Sequence, residues 1–516
     1  MKRSMFEKIL SSSRTAGFGL ATALVLGATG CAVGPNYHRP EVAVPQNFKE
    51  AAGWKPATPN DDAARSAWWE VFQDPVLNQL EGEILVSNQS LLQAAANYEE
   101  ARQLARADHA TLFPSLSAVG SYQRLRRSSG SSSVSTSRST SAGTTQVLTP
   151  TSGSSGVLTT AQAGLQASWT PDFWGRIRRL SEADVAAAQA SAADLANARL
   201  SLQSALAQDY ILLRVADERR RLYANAVEAY RRTLEISQNK YKAGVVARSD
   251  VISSQAQLDS ARAQEIDSGV QRAQLEHAIA VLLGRAPADF SLAPQPSLTL
   301  PAPVVPVQLP SALLERRPDI AAAERAVAAA NARIGVQIAG FFPDISLSGE
   351  EGFQSSVLHQ LFRAANRTWS LGADLSEPVF DFGQRRAQTL EARAAYDATV
   401  AAYRQAVLSA FQSVEDHLST LRILGEEAAV QSAAVEEAAE AARIALNEYN
   451  AGVVDYTTVV TAQIAELNAR QAALTTLQNQ RTTSVALLEA LGGGWSASDL
   501  PAPGAVLARK SPPRHP

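Results

Sequence analysis

Tyr241-Lys242-Ala243-Gly244-Val245-Val246 returns 208 residues later as Tyr449-Asn450-Ala451-Gly452-Val453-Val454. An upstream pair of landmarks, Phe113-Pro114 and Phe342-Pro343, is 229 residues apart, so the first copy carries 21 additional residues. The spacing of 208 also separates two further pairs: Trp174-Gly175 from Phe382-Gly383, and Leu283-Gly284 from Leu491-Gly492. Constant spacing over this length indicates two copies of one structural unit.

The N-terminus has the features of a cleaved export signal over residues 1–30. Basic residues precede an apolar run from Ala16 to Leu26, which is too short to cross a bilayer as a stable helix. Cys31, the only cysteine of the chain, follows directly. This arrangement resembles the signal of a bacterial lipoprotein, which implies that Cys31 is the lipidated N-terminus of the mature protein. A single cysteine also excludes an intrachain disulfide framework.

Composition and motifs argue against several classes of function. The formal net charge of −3 gives no basic surface for nucleic acid. After residue 30 no run of about 18 apolar residues predicts a transmembrane helix. The six histidines are dispersed without metal-ligand spacing, and no phosphate loop, dinucleotide motif or nucleophile elbow is present. The sequence therefore predicts no enzyme, no metal site and no cofactor.

Breaks in periodicity divide the mature chain. A helical pattern begins at Asp74-Pro75 and runs to about Leu112. The predicted parts are an N-terminal extended segment (31–75), a first repeat (76–285), a Pro-rich connector (286–310), a second repeat (311–495) and a disordered tail (496–516).

Each repeat contains a predicted strand hairpin, at 113–175 and 342–383. Apolar and polar residues alternate there over about ten residues per strand, as in Leu116, Ala118, Gly120 and Tyr122. In the first copy a Ser/Thr/Gly tract, Ser128 to Thr160, predicts a mobile loop between the strands. This pattern is typical of a transmembrane barrel, although an ordinary soluble hairpin also fits it.

Long helices make up the rest of each repeat. The stretches 176–241 and 384–449 are rich in alanine, and at about 1.5 Å per residue each extends roughly 100 Å. Gly244 and Gly452 end them, and return helices follow. The predicted fold is mainly α with a small β part. Four strands per chain cannot close a sheet, so the chain must oligomerise, and three copies would supply twelve strands.

Several motifs resemble the TolC/OprM-type outer-membrane efflux factors, and specifically their NodT lipoprotein branch. They are Cys31-Ala32-Val33-Gly34-Pro35-Asn36-Tyr37-His38-Arg39-Pro40, Trp68-Trp69-Glu70-Val71-Phe72 with Asp74 and Leu77, Arg317-Pro318-Asp319-Ile320 with Ala323-Glu324, Phe342-Pro343-Asp344-Ile345, Phe382-Gly383 and both Tyr-x-x-Gly turns. In their order and spacing they cover nearly all of the mature chain.

The resemblance implies a homotrimeric duct. A twelve-stranded β-barrel would sit in outer-membrane lipid, and an α-helical tunnel would cross the periplasm. The duct would dock onto a periplasmic adaptor (membrane fusion) protein and an inner-membrane RND-type pump. It would passively carry drugs or other toxic small molecules out of the cell.

In this family the Tyr-x-x-Gly turns form a periplasmic tip that closes the resting duct. The resemblance assigns this gate to Gly244, Ser249, Asp250, Tyr449, Gly452, Asp455, Thr458 and Thr461. Thr458 and Thr461 stand where relatives often carry Asp, which leaves Asp455 as the nearest acidic residue. Asp250 and Asp455 fit equally well as helix-capping or first-turn acids. A hydrogen bond between Asp250 and Tyr449 of neighbouring hairpins is a further expectation.

Two other functions remain open. A type I protein-secretion duct would share this fold. A periplasmic coiled-coil scaffold lipoprotein would explain the helices and Cys31, but not strand pairs at the same place in both copies.

Overall fold

The computed structural model describes residues 32–51, 67–126, 139–140, 143–144, 157–295 and 310–508. The expected signal segment and Cys31 lie outside these ranges. Among the described residues no helix combines the length and apolar character needed to cross a membrane.

The described chain is mainly helical. The helices are α1 (Pro75–Ser87), α2 (Gln89–Ala110), α3 (Arg176–Lys242), α4 (Arg248–Leu282), α5 (Pro310–Arg316), α6 (Pro318–Ala339), α7 (Gln384–Ala451), α8 (Tyr456–Ala490) and α9 (Pro503–Leu507). The strands are β1 (Ser115–Arg126), β2 (Ser139–Thr140), β3 (Gly143–Thr144), β4 (Val157–Trp169), β5 (Asp344–Ser355) and β6 (Arg367–Ser376). The mainly α fold with a small β part and an internal repeat is therefore confirmed.

The repeat holds at the level of element bounds. Helices α2 and α6 have 22 residues each and begin 229 residues apart. Helices α4 and α8 have 35 residues each and begin 208 residues apart. The long helices α3 and α7 have 67 and 68 residues, which corresponds to about 100 Å each.

The four longer strands form one antiparallel sheet in the order β1-β4-β5-β6. Leu116 lies opposite Ala167 in the first hairpin, and Ile345 lies opposite Leu375 in the second. These pairs are related by the same two spacings, so both hairpins have one register. The link between the repeats is the β4–β5 ladder, in which Trp169 lies opposite Leu347.

The expected mobile tract 128–160 is shorter than predicted. Strand β4 begins at Val157 because its first residues pair with β1, where Val157 lies opposite Arg126. A two-residue ladder also joins β2 to β3 within the tract. The remaining tract residues lie outside the described ranges.

The single helix predicted from Asp74-Pro75 to Leu112 is wrong, because Asn88 divides it into α1 and α2. The Asn88 backbone is extended, and its Oδ1 accepts a hydrogen bond from Leu91 N at 2.9 Å. Its Nδ2 donates to the carbonyl oxygen of Leu282 at 2.7 Å, at the end of α4. In the second copy Arg317 occupies the equivalent place and donates to the carbonyl oxygen of Ala490 at 2.9 Å.

Two apolar cores lie where the long helices meet the first helices of each repeat. The first core contains Tyr210 of α3 and Ile279 of α4, and the second contains Tyr403 of α7 and Leu313 of α5. Tyr210 OH donates to Asp74 Oδ2 at 2.7 Å, while Asp74 Oδ1 caps α1. These cores fix the helices about halfway along their length.

Glu81 of α1 is buried beside the first core. Burial raises the pKa of its carboxyl group to about 9, and neither carboxyl oxygen has a hydrogen-bond partner among the described residues. The group is therefore neutral near pH 7, which avoids the cost of a buried charge.

The tail prediction is wrong for residues 496–508. Helix α9 places Val506, which is fully buried, against Ala105 and Ala188. The Arg102 guanidinium donates to the carbonyl oxygens of Val506 and Ala508. Apolar burial and these bonds order a segment that has no helical period of its own.

Glycines end the return helices against the chain that joins each pair of first helices. Gly284 and Gly492 have φ of 65° and 95°. A Cβ on Gly284 would lie 2.2 Å from the carbonyl oxygen of Ser87, and one on Gly492 would lie 2.1 Å from that of Arg316. At Gly244 and Gly452, with φ of 76° and 78°, a Cβ would meet nothing within 4 Å.

These glycines allow a matched test of packing against backbone strain. We expect Gly244→Ala and Gly452→Ala each to cost about 1–2 kcal/mol, because only the left-handed backbone conformation is penalised. Gly284→Ala and Gly492→Ala should cost clearly more, since the new methyl group also overlaps a carbonyl oxygen. Thermal denaturation of the four purified variants measures the difference. Equal midpoints for the two pairs would contradict this account.

Candidate functional site

The sheet exposes a band of apolar side chains on one face. Leu116, Trp369 and Leu371 are 70%, 70% and 81% exposed. They belong to the alternating positions predicted from the sequence. An exposed apolar face on long antiparallel strands is what contact with lipid requires.

Aromatic residues mark the junction between sheet and helices. Trp174 stacks on Phe342 with 4.8 Å between ring centroids, and Trp174 Nε1 donates to the carbonyl oxygen of Pro343 at 2.9 Å. Trp169 Nε1 donates to the carbonyl oxygen of Leu112 at 2.9 Å. Aromatic rings with a satisfied polar group are typical of the border between lipid and water.

The two Tyr-x-x-Gly turns lie at the other end of the long helices, and together they form what we call the tip (residues 237–261 and 445–463). Val245 N donates to the carbonyl oxygen of Lys240, and Gly244 N to that of Tyr241, both at 2.9 Å. The second turn repeats these bonds at Val453 and Gly452. This is the Schellman arrangement, in which a glycine at positive φ satisfies the last carbonyl groups of a helix.

Tyr449 joins the two hairpins. It is 1% exposed and packs on Tyr456 and Val459. Its hydroxyl lies 3.2 Å from Ser237 Oγ, and Ser254 Oγ donates to the same Ser237 oxygen at 3.1 Å. The expected bond from Tyr449 to Asp250 is absent within the described chain, because Ser237 of α3 lies closer to the Tyr449 hydroxyl.

Lys240 closes the same contact from the other side. Its Nζ lies 4.1 Å from the centroid of the Tyr449 ring and donates to the Tyr449 carbonyl oxygen at the end of α7. The ammonium group therefore makes a cation–π contact and also stabilises the negative end of a helix. Burial raises the pKa of Tyr456 beside this cluster.

The remaining predicted tip residues make local contacts. Asp455 caps α8 by accepting from Thr458 N at 3.1 Å and Thr458 Oγ1 at 3.0 Å. Thr461 Oγ1 donates to the carbonyl oxygen of Thr457. Ser249 Oγ donates to Asp250 Oδ1 at 3.3 Å in the first turn of α4. The capping role weighed for Asp455 is therefore seen, while a role in gating stays a prediction.

Sequence reasoning missed Ser237, Lys240 and Ser254. Ser237 and Lys240 precede Tyr241 within one helical turn, so their position next to the motif was the available signal. The described residues contain no group of acidic, histidine or cysteine side chains arranged to hold a metal ion.

The Lys240 contact should hold the tip together. We expect Lys240→Met to speed amide hydrogen exchange of residues 449–456 about fivefold, because it removes roughly 1 kcal/mol of cation–π and helix-end stabilisation. Lys242→Met is the matched control, since Lys242 is exposed in the same helical turn. Hydrogen exchange with mass spectrometry measures both variants. An equal effect of Lys242→Met would show that general charge, not this contact, is responsible.

Comparison with known proteins connects the sheet and the tip. A family model described as outer membrane efflux protein matches residues 80–285 and 309–493. Of the similar curated proteins, TtgC of Pseudomonas putida, a probable efflux pump outer membrane protein, is 31% identical over 480 residues, 92% of this chain and 94% of that protein. The solvent efflux pump outer membrane protein SrpC of Pseudomonas putida is 32% identical over 479 residues, with 92% and 97% covered.

A solved structure agrees with these matches. The outer-membrane channel OprN has a TM-score of 0.78 and 31% identity, over 90% of this chain and 100% of that chain. The resemblance drawn from the motifs is therefore confirmed at the level of the family, and the lipoprotein branch stays a prediction. The protein is an outer-membrane component of an efflux system with a periplasmic extension. The chain belongs to the outer membrane efflux protein family.

Proposed function

We propose that this chain is a passive, homotrimeric exit duct that carries toxic small molecules from an inner-membrane pump to the outside. The observation that carries the proposal is a four-stranded sheet with an exposed apolar face, joined directly to helices of about 100 Å. Three copies would supply the twelve strands of a closed barrel.

The proposal includes the partners and the division of the chain. A periplasmic adaptor and an RND-type pump would dock at the tip, and these partners would supply the energy because the duct performs no catalysis. The N-terminal segment (31–75), the two repeats (76–285 and 311–495) and the connector (286–310) remain the proposed parts.

Small apolar organic compounds are the proposed substrates. TtgC of another Pseudomonas putida strain is named for toluene, ArpC for antibiotics and SrpC for solvents. CusC of Escherichia coli, a cation efflux protein, is 28% identical. We favour organic compounds because the relatives at 31–32% identity are named for them.

Deletion of the gene should make the host sensitive to toluene and small antibiotics, and the wild-type chain should restore resistance. Leu371→Arg should fail to restore it, because a cation on the lipid face costs about 2–4 kcal/mol in each chain near mid-membrane. Ser370→Arg is the matched control on the opposite face of β6. Membrane fractionation, growth assays and light scattering of detergent-solubilised protein test these expectations.

A mass of three mature chains is expected for the wild type and for Ser370→Arg. A stable monomer that conducts would overturn the trimer. Loss of protein export with unchanged solvent resistance would identify a type I secretion duct instead.

The proposed lipid anchor at Cys31 fits the position of the residues after it. Val33 N donates to the carbonyl oxygen of Trp174 at 3.1 Å, and a Cβ on Gly175 would lie 2.6 Å from Ala32 Cα. The chain therefore emerges beside the aromatic junction, at the membrane end of the helices. Acyl chains attached there would reach lipid.

Mass spectrometry of the mature N-terminal peptide should show acylated Cys31. Cys31→Ser should remove the acyl groups without preventing insertion of the sheet, because sheet and anchor are separate contacts with the membrane. An unmodified chain that begins at Met1 would contradict the anchor.

A further inference from the structure

The two repeats of this chain are joined by a seam that we call the inner seam. It comprises the β4–β5 ladder, the stack of Trp174 on Phe342, and the packing of α3 against α6. Along the helices, Ala186 packs on Ala328, and Ala193 packs on Ala321. Every residue on the first-repeat side belongs to the part related by the spacing of 208. Every residue on the second-repeat side belongs to the part related by 229.

The counterparts of these residues lie on the two open sides of the chain. Strands β6 and β1 each pair on one edge only. Phe382, the counterpart of Trp174, is 92% exposed, and Phe113, the counterpart of Phe342, is 63% exposed.

The helices show the same contrast. Ala186 and Ala193 are buried, while their counterparts on α7, Ala394 and Ala401, are exposed. Leu92 of α2 is 50% exposed, whereas its counterpart Ala321 is 5% exposed. Equivalent positions with opposite burial indicate a surface whose partner lies outside the single chain.

We infer that a second copy of this chain covers these surfaces in the register set by the inner seam. Strand β6 of one copy pairs antiparallel with β1 of the next. Leu375 then lies opposite Gly120, Ala373 opposite Tyr122 and Leu371 opposite Arg124, and Phe382 contacts Phe113. The inference rests on the proposed trimer and specifies which backbone groups meet at its seam.

The register follows from pairs already present in the sheet. Ala167 lies opposite Gly349, and Leu165 lies opposite Glu351. Adding 208 to the first member and subtracting 229 from the second gives Leu375 with Gly120 and Ala373 with Tyr122. The apolar face continues across the new ladder, because Leu371, Ala373 and Leu375 stay on the side that carries Leu116. A slip of one residue would turn that face inward.

Cysteine cross-linking tests the register. In a Cys31→Ser background, Gly120→Cys with Leu375→Cys should form an intermolecular disulfide, because directly opposite residues have Cα atoms about 4.5–5.5 Å apart. Gly120 has room for the side chain, since its nearest non-neighbour atom lies 4.0 Å from a built Cβ. Within one chain these positions are three strand spacings apart, roughly 14 Å, which excludes an intrachain bond.

Two matched controls accompany this pair. Ala118→Cys with Leu375→Cys keeps the same face but shifts the register by two residues, and it should give at least about tenfold less product. Ala167→Cys with Gly349→Cys should link within one chain and leave the monomer mass unchanged on a non-reducing gel. The test pair should run at two and three chain masses and return to one on reduction.

The outcomes separate the register from the trimer. Cross-linking through Ala118 but not Gly120, or a trimer by light scattering in which Gly120 with Leu375 stays unlinked, would overturn the register and leave the proposed duct standing. A monomer by light scattering with no cross-link in either intermolecular pair would overturn both.

Discussion

The backbone N–H and C=O groups on the open edges of β1 and β6 constrain the rest of the molecule. In water these groups would bond to solvent, but in hydrocarbon each unpaired group costs several kcal/mol. The apolar face of the same strands favours hydrocarbon, so the sheet requires both a membrane and further strands. A chain with four such strands is therefore half-finished until it finds copies of itself.

The long helices meet a different requirement, because a helix of about 100 Å has no compact core of its own. The structure fixes each one near its middle, where Tyr210 and Tyr403 lie in separate apolar cores. Glycine at the end of each return helix lets the backbone approach a carbonyl oxygen of the neighbouring segment. Side chains equivalent in the two repeats, Asn88 and Arg317, then bond the ends of α4 and α8. Close packing at the middle leaves the tip to be held by few contacts.

The sequence predicted what depends on local pattern and missed what depends on distant partners. Two constant spacings, alternating strands and glycine turns were sufficient for the repeat, the sheet and the hairpins. The break at Asn88 was missed because its partner, Leu282, is 194 residues away. The ordered tail was missed because Val506 is buried against helices that come much earlier in the chain. At the tip the turns were predicted correctly, but the contact of Lys240 with Tyr449 joins two hairpins and leaves no periodic signal.

Carrying both repeats in one polypeptide lets them diverge. At the tip, Ser237, Lys240 and Ser254 correspond to Ala445, Glu448 and Ala462, so hydroxyl groups and a cation in the first copy are replaced by methyl groups and an anion in the second. In an assembly of six identical units, any substitution would alter every contact around the axis. A duplicated gene removes that restriction, and selection can tighten one class of contact while it loosens the other.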